Sequence, residues 1–539
     1  MNNNILISNN TPLRQSTQTA VNNKIKKLCN ECNIGLASYK NLQLCFTCYT
    51  IQEVCKFKKS GNKIIDDFIR YTQIDYCSHA EFGSPYKSIN YKQTNKNSMI
   101  LEFVPYDQFK NVEFIAEGGF SKIYKATWID GPIFNLNFRE NTKIVRHHNY
   151  IVVLKKLNDS KNITSKNLNE LKVFYDFTSA ECKENTINIL EILNKLLNNN
   201  KSHISEYFGI TQDPISQDIM IIMPYYDFGD LKHYVSNYFY NICWQEKLEN
   251  LSKIITGLKH IHGVNIVHRD LHSGNIFFNS KNNPNVYLTD YYHNNSKYDV
   301  IIGDLGINKS STESADDNEN YGIIPYMAPE IFLRQKYTKA SDIYSFGMIM
   351  WELMTGRRPF WDQNHNTDLI IKICDGLRPP IVTNAPEGYI ELMKECWHFD
   401  PEKRPLAMEL YDKIKKMTSC EEWGKKTKII KSPDIGPVTI NNSGAVYKSR
   451  PLSGMIQSAM SLRSSRSTKS IKLETDPFYY YQENNMELSG KRKADNDSNE
   501  DDNDKDYFTK EIELDINKDL NQSHDGYITK EIDLEINTL

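Results

Sequence analysis

The sequence predicts a main domain of mixed strands and helices, set between a cysteine-bearing N-terminal module and low-complexity tails. Three observations carry this reading. From Phe109 to about Met417, apolar runs alternate with helical patterns and frequent Gly and Pro punctuation. Within that span, VEFIAEGGFSKIYKATW from Val112 and IVVLKKL from Ile151 read as strands, whereas SDIYSFGMIMWELMTG from Ser341 reads as a helix. Outside it the composition turns to Asn, Ser, Lys and Asp, which cannot offset ordering entropy by burial.

The chain has 539 residues, 39% hydrophobic, 11% aromatic and 25% charged, so it can build one or more cores and is not disordered throughout. Lys plus Arg is 65 against 68 Asp plus Glu, a net charge of -3, so no global field draws the chain to nucleic acid or anionic lipid. The longest apolar stretches, such as Ile219 to Pro224, are too short to cross a bilayer, and Met1 to Asn10 has no signal-peptide pattern. The reading is a cytoplasmic or nuclear protein without membrane partners. In such a reducing compartment, closely paired cysteines among the 11 mean metal more often than disulfide.

Composition divides the chain into a disordered tail over 1–24, a cysteine module over 25–60, a linker with a short helix over 61–108, the main domain over 109–417 and a mostly disordered tail over 418–539. That last tail carries YFTKEIELDIN and YITKEIDLEIN at 507–517 and 527–537. Ile512, Leu514 and Ile516, and again Ile532, Leu534 and Ile536, alternate with acids, a period that suits a strand added to a partner's sheet edge. Duplication in a tolerant tail explains the pattern equally well.

In the main domain, the run holding Ile115, Ala116, Glu117, Gly118, Gly119 and Ile123 reads as two strands joined by a small-residue turn, as needed where backbone N–H groups approach phosphates closely. Lys155 lies in an apolar strand, where an inward ammonium needs an anionic partner. IVHRDLHSGNIFF places Asp270 and Asn275 five apart on a loop after an amphipathic helix ending near Ile261. Asp304, in GDLG after Ile301 and Ile302, adds a carboxylate at a strand end, a hard oxygen ligand suited to Mg²⁺. YMAPE from Tyr326 and DPEKRP from Asp400 follow.

In order and spacing, these motifs resemble the eukaryotic protein kinases: a Gly-rich loop, a strand Lys, HRD…N, a DFG-like triplet and APE. Phe360 after GRRP and the SDIYSFGMIMWEL helix look most like the tyrosine-kinase-like group. NLNELK and WIDGPI, with the CxxC…CxxC segment, resemble an expanded fungal family within it. The resemblance implies an α+β bilobal kinase fold, with a small β-rich lobe and a larger helical one. It implies an ATP- and Mg²⁺-dependent enzyme acting on protein substrates, as Ser/Thr hydroxyls, in signalling.

Carried over, Lys155 holds the α and β phosphates and pairs with Glu170. Asp270 takes or orients the acceptor proton, and Asn275 and Asp304 hold Mg²⁺. Met223 is the gatekeeper, with Pro224, Tyr225 and Tyr226 as the hinge that meets adenine. Arg269 reads a phosphate or acid in the activation segment, where Ser310, Ser311, Thr312, Ser314 and Tyr321 offer hydroxyls. Glu330 pairs with Arg404, and Asp342 braces the catalytic loop.

The chain departs from the family at Ala116 and Ser121, which replace two loop glycines, and at Leu305 in the DLG triplet. His272 stands where Ser/Thr kinases carry Lys, and Ile323 where they carry Thr. These departures motivate the alternative of a pseudokinase scaffold that binds partners without phosphoryl transfer. Segments 182–203 and 281–300 read as surface insertions.

Cys29, Cys32, Cys45 and Cys48 form C-x2-C, a gap of 12 residues, and C-x2-C. Each pair can present two thiolates to one tetrahedral ion, the pattern of a structural zinc ribbon. Free buried thiols or a redox pair are the alternatives to a structural metal.

Overall fold

The computed structural model describes residues 28–31, 42–49, 51–52, 57–81, 101–119, 121–137, 143–162, 168, 171–172, 202–280, 298–305, 320–424, 426–439 and 441–466. The N-terminal module contributes α1 (Phe46–Tyr49), followed by the 19-residue helix α2 (Lys63–Glu81). The small lobe is a six-stranded sheet with the order β1-β7-β8-β6-β3-β2. These strands are β1 (Glu102–Phe103), β2 (Phe109–Glu117), β3 (Ser121–Trp128), β6 (Tyr150–Leu157), β7 (Gly209–Gln212) and β8 (Ile219–Pro224). The hairpin β4 (Ile133–Asn137) and β5 (Lys143–Arg146) stands beside it. Only β1 and β7 pair in parallel within this sheet. Central β6 alternates as a strand must: Val152 and Leu154 pack with Trp128 and Phe208, while Val153 joins the main core.

The large lobe begins with α3 (Leu231–Tyr238), capped by the Asp230 side chain, which accepts from the His233 N–H. Helix α4 (Trp244–Gly263), the hairpin β9 (Ile276–Ser280) and β10 (Tyr298–Ile302), short β11 (Tyr321–Gly322) and α5 (Pro329–Phe332) follow. Every residue of α6 (Lys339–Thr355) from Ser341 onward is buried, which makes this helix the axis of the lobe. Thr338 and Ser341 cap its start, and Gly356, at φ 77°, ends it in the left-handed region. Three further helices, α7 (Thr367–Cys374), α8 (Tyr389–Cys396) and α9 (Ala407–Trp423), surround it.

Two findings differ from the sequence expectation. In the span 61–108, read as a linker with a short helix, the described residues 61–81 and 101–108 pack against the main domain. Ile65 and Ile69, one helical turn apart, enter the main core, and Gln73 Nε2 donates to the Leu101 carbonyl at 3.1 Å. Glu102 then joins the sheet and pairs with Arg146 at 2.7 Å.

The disorder expected after 417 does not extend through 426–466, which wrap the large lobe and end in β12 (Arg450–Pro451) and α10 (Ser453–Arg466). Ile435, Tyr447, Leu452, Ile456 and Ala459 are buried there. Tyr240 Oη donates to the Ile435 carbonyl at 2.9 Å, and the Gly436 N–H donates to Thr355 at 2.7 Å. Burial of these scattered apolar residues offsets the ordering cost that their polar neighbours alone could not. Residues 1–24 and both repeats lie outside the described residues.

Candidate active site between the lobes

The site is assembled from one strand of the small lobe and three segments of the large one. The middle of β6 is fixed on both sides, Lys155 lying opposite Ile123 in β3 and Ile221 in β8. That placement carries the largely buried Lys155 to Asp304, with Nζ 2.7 Å from Oδ1. The expected partner Glu170 lies outside the described residues. Desolvation pushes the Asp304 carboxyl up, but the Lys155 ammonium overrides this and holds it below the usual carboxylate range, although 39% of the side chain is open to the cleft.

The catalytic loop is held from below by Asp342 in α6. Its Oδ2 accepts the His268 N–H at 2.7 Å and its Oδ1 the Arg269 N–H at 2.9 Å, while His262 Nε2 stands 2.9 Å from Oδ2. Arg269 and Asp304 both have positive φ, 69° and 58°, a costly conformation maintained by these surrounding bonds. Asn275 Nδ2 donates to the Asp270 carbonyl at 2.9 Å, and the Gly303 N–H donates to the Asn275 carbonyl at 2.8 Å. The loop bearing Asp270 and Asn275 is thereby tied to the strand end bearing Asp304.

His272 Nε2 lies 3.7 Å from Asp270 Oδ2, and its Nδ1 accepts the Gly274 N–H at 3.1 Å. Burial lowers the affinity of this imidazole for a proton, and Asp270, then Asp304 and Asp230, more than reverse that, so its pKa is raised. The residue that replaces the family Lys thus sits in a field that favours its cationic form.

Of the nucleotide residues predicted from sequence, Ala116 and Ile123 are opposite each other in β2 and β3, and the Gly118 N–H closes the turn on the Ser121 carbonyl at 2.8 Å. Ala116 and Ser121 are buried, at 1% and 5% exposure, so these replacements are accommodated in the sheet. Ile115 and Tyr225 are partly buried, and Met223 is buried opposite Val153. Glu117 and Gly119 are exposed at the turn. Tyr226 stacks on Phe277 and donates to Ser205 Oγ at 2.9 Å, so it acts as a structural member of the hinge.

Arg404 and Glu330 meet as expected, and Ser310, Ser311, Thr312 and Ser314 lie outside the described residues. Sequence reasoning missed the Tyr326 hub. Its Oη donates to Glu352 Oε2 at 2.7 Å and lies 3.1 Å from Ser273 Oγ. Burial drives the Glu352 carboxyl up to about 7. An acid inside the apolar run MIMWELM was the available signal.

The profile of the family described as "Protein tyrosine and serine/threonine kinase" matches residues 171–414. The two lobes form a protein kinase domain. The chain is 32% identical over 204 residues to "Probable serine/threonine-protein kinase roco5" of Dictyostelium discoideum, covering 36% of this chain and 7% of that protein. It is 26% identical over 369 residues to "Probable serine/threonine-protein kinase pats1" of the same organism, 65% of this chain and 10% of that one. Similarity to the organism's "Dual specificity protein kinase splA" is 29% over 197 residues, 35% and 8% of the two chains. The matched region thus spans a tenth or less of each of these three relatives.

Near the N-terminus, Cys29, Cys45 and Cys48 are buried with their sulfur atoms all within 4.8 Å of one another. Cys32 lies outside the described residues. The Cys48 N–H donates to Cys45 Sγ at 3.4 Å, and Arg70 of α2 reaches Cys48 Sγ at 3.7 Å and Glu31 at 2.8 Å. Among the described residues no helix is long and apolar enough to cross a membrane.

Proposed function

We propose that the chain is an ATP- and Mg²⁺-dependent Ser/Thr protein kinase of the tyrosine-kinase-like group that acts in intracellular signalling. The observation that carries this reading is the Lys155–Asp304 ion pair standing over a catalytic loop braced by Asp342. Catalysis of phosphoryl transfer is mainly positioning and charge stabilisation, and the groups that supply both are present.

Asp270 orients the acceptor hydroxyl and takes its proton. Lys155 binds the nucleotide phosphates, and the turn of Gly118 and Gly119 covers them. Asn275, whose Nδ2 is spent on the Asp270 carbonyl, leaves Oδ1 as a ligand atom, and Asp304 keeps its carboxylate in the cleft. This oxygen pair fits Mg²⁺, which when bound neutralises phosphate charge. His272 stands beside Asp270 with Nε2 facing its carboxylate, at the position where Ser/Thr kinases carry Lys.

The three gathered thiols fit a structural Zn²⁺, for which the C-x2-C spacing makes Cys32 the fourth ligand, with Arg70 stabilising the Cys48 thiolate. That site fastens the N-terminal module to α2.

The test is transfer from Mg·ATP to a protein acceptor by the purified full chain and by Asp270→Ala. Transfer by the first alone is expected. Nucleotide binding without transfer by the unaltered chain would replace the enzyme reading with that of a scaffold.

A further inference from the structure

The wrapped segment 426–466 does more than cover the large lobe, because its last part lies against the Gly119 turn of the small lobe as well as pairing with β11. Arg450 and Pro451 pair antiparallel with Gly322 and Tyr321, the Leu452 N–H donates to the Asn320 carbonyl at 2.7 Å, and the Asn320 N–H donates to Ser453 Oγ at 2.8 Å. The strand so covered runs directly into the turn 323–326, where Tyr326 Oη meets Ser273 of the catalytic loop.

One residue before this ladder, Ser449 touches the other lobe. A Cβ placed on Gly119, at the tip of the phosphate-covering turn, would lie 2.9 Å from the Ser449 carbonyl oxygen. Ser449 therefore sits beneath the turn of the small lobe while its successor is paired to the large one.

Upstream, the strap is fixed by Tyr447, whose Oη donates to the Pro359 carbonyl at 2.9 Å and whose ring lies 3.7 Å from the Arg358 guanidinium. Arg450 Nη2 adds a bond to the His365 carbonyl at 2.7 Å. Between these anchors the Ser449 hydroxyl is buried and makes no hydrogen bond among the described residues. An inward hydroxyl without a partner is unfavourable, and its persistence calls for a role.

Resting on the kinase reading above, we propose that Tyr447–Ser453 occupies the acceptor-peptide groove and presents Ser449 as an intramolecular phosphate acceptor. The Ser449 Oγ forms the new bond to the γ-phosphorus of ATP. The bond from that phosphorus to the β–γ bridging oxygen breaks, ADP leaves with the electron pair, and the hydroxyl proton passes to the Asp270 carboxylate. A tethered acceptor is present at an effective concentration on the order of millimolar, so it outcompetes a micromolar protein substrate until it is modified.

The experiment uses the full chain, first treated with phosphatase, then given Mg·ATP together with dephosphorylated casein, with sites mapped by mass spectrometry over a range of enzyme dilutions. One phosphate on Ser449, gained at a rate that dilution does not change and lost in Ser449→Ala, is expected. Leu452→Asp, which places a charge in the buried end of the strap, should speed the casein modification that precedes Ser449 phosphorylation about tenfold by releasing the tethered competitor. Transfer to casein with none to Ser449, or Ser449 modification that slows in proportion to dilution, overturns the proposal and leaves the kinase reading standing. Absence of transfer to either acceptor overturns both.

Discussion

Arg404 grips Glu330 through two parallel hydrogen bonds of 2.7 and 2.8 Å, and both side chains are closed to solvent. The same guanidinium donates to the carbonyls of His398 at 2.8 Å and Ala340 at 2.9 Å, joining α5 to the start of α6 and the turn before α9. Removing one partner strands a buried charge, so Arg404→Ala and Glu330→Ala should each cost about 3–5 kcal/mol in denaturant unfolding. Arg404→Lys should recover only part, since an ammonium cannot reproduce the planar fork. A cost below about 1 kcal/mol, the range of surface pairs, would show that the clasp carries little of the fold.

Asp304 holds Lys155 and offers its remaining oxygen to the cleft. Asp304→Ala should therefore weaken Mg²⁺-dependent nucleotide binding as well as transfer, lowering turnover at least about a hundredfold. Asp270→Ala should leave nucleotide binding intact. Titration calorimetry on both variants, with and without Mg²⁺, separates the two roles, and equal binding losses would refute the division.

Glu352 is fully enclosed near Tyr326, Arg358 and Asp230, and its carboxyl is raised to about 7, chiefly by burial. The folded state then keeps a proton that the unfolded chain releases near pH 4.5. Stability from this group is complete below that value and is lost as pH rises through about 7. The span corresponds to roughly 3 kcal/mol. Glu352→Gln should flatten the fall in Tm between pH 5 and pH 8, and an unchanged slope would place the pH sensitivity elsewhere.

Removal of Zn²⁺ should be felt at α2, because Arg70 links that helix to both Cys48 and Glu31. The expected outcome is about one zinc per chain by elemental analysis, lost in Cys45→Ser, with faster amide exchange along α2. Rapid alkylation of Cys29, Cys45 and Cys48 before any chelator is added would contradict a metal site.

The parts of this architecture that could be read from the chain were those in which chemistry and backbone path are set by close neighbours. Asp270 and Asn275 stand five apart on one loop, and Asp342 was reached through the family resemblance. Cys29, Cys45 and Cys48 similarly declare themselves by spacing. The pairing of Lys155 with Asp304 spans 149 positions and depends on how two lobes meet.

The strap was invisible for another reason. Ile435 and Tyr447 follow no helical or strand period, so only the hollows of the large lobe make sense of them, whereas Leu452, Ile456 and Ala459 keep the i, i+4, i+7 spacing of α10, a signal overlooked among its Ser and Arg neighbours. Ala116, which replaces a loop glycine of the family, is buried where β2 pairs with β3, a placement that only the register reveals.

The tight fit of Gly356 and Gly436 has a practical side. An added Cβ on Gly356 would come within 2.7 Å of Phe239 and 3.0 Å of Gly436, so the belt and the end of α6 have no spare room between them. A recombinant piece ended after Trp423, where the last helix of the large lobe stops, would lay bare the greasy surface that Ile435, Tyr447 and Leu452 now seal. Such a fragment should clump on concentration, while one ending after Arg466 should stay dispersed.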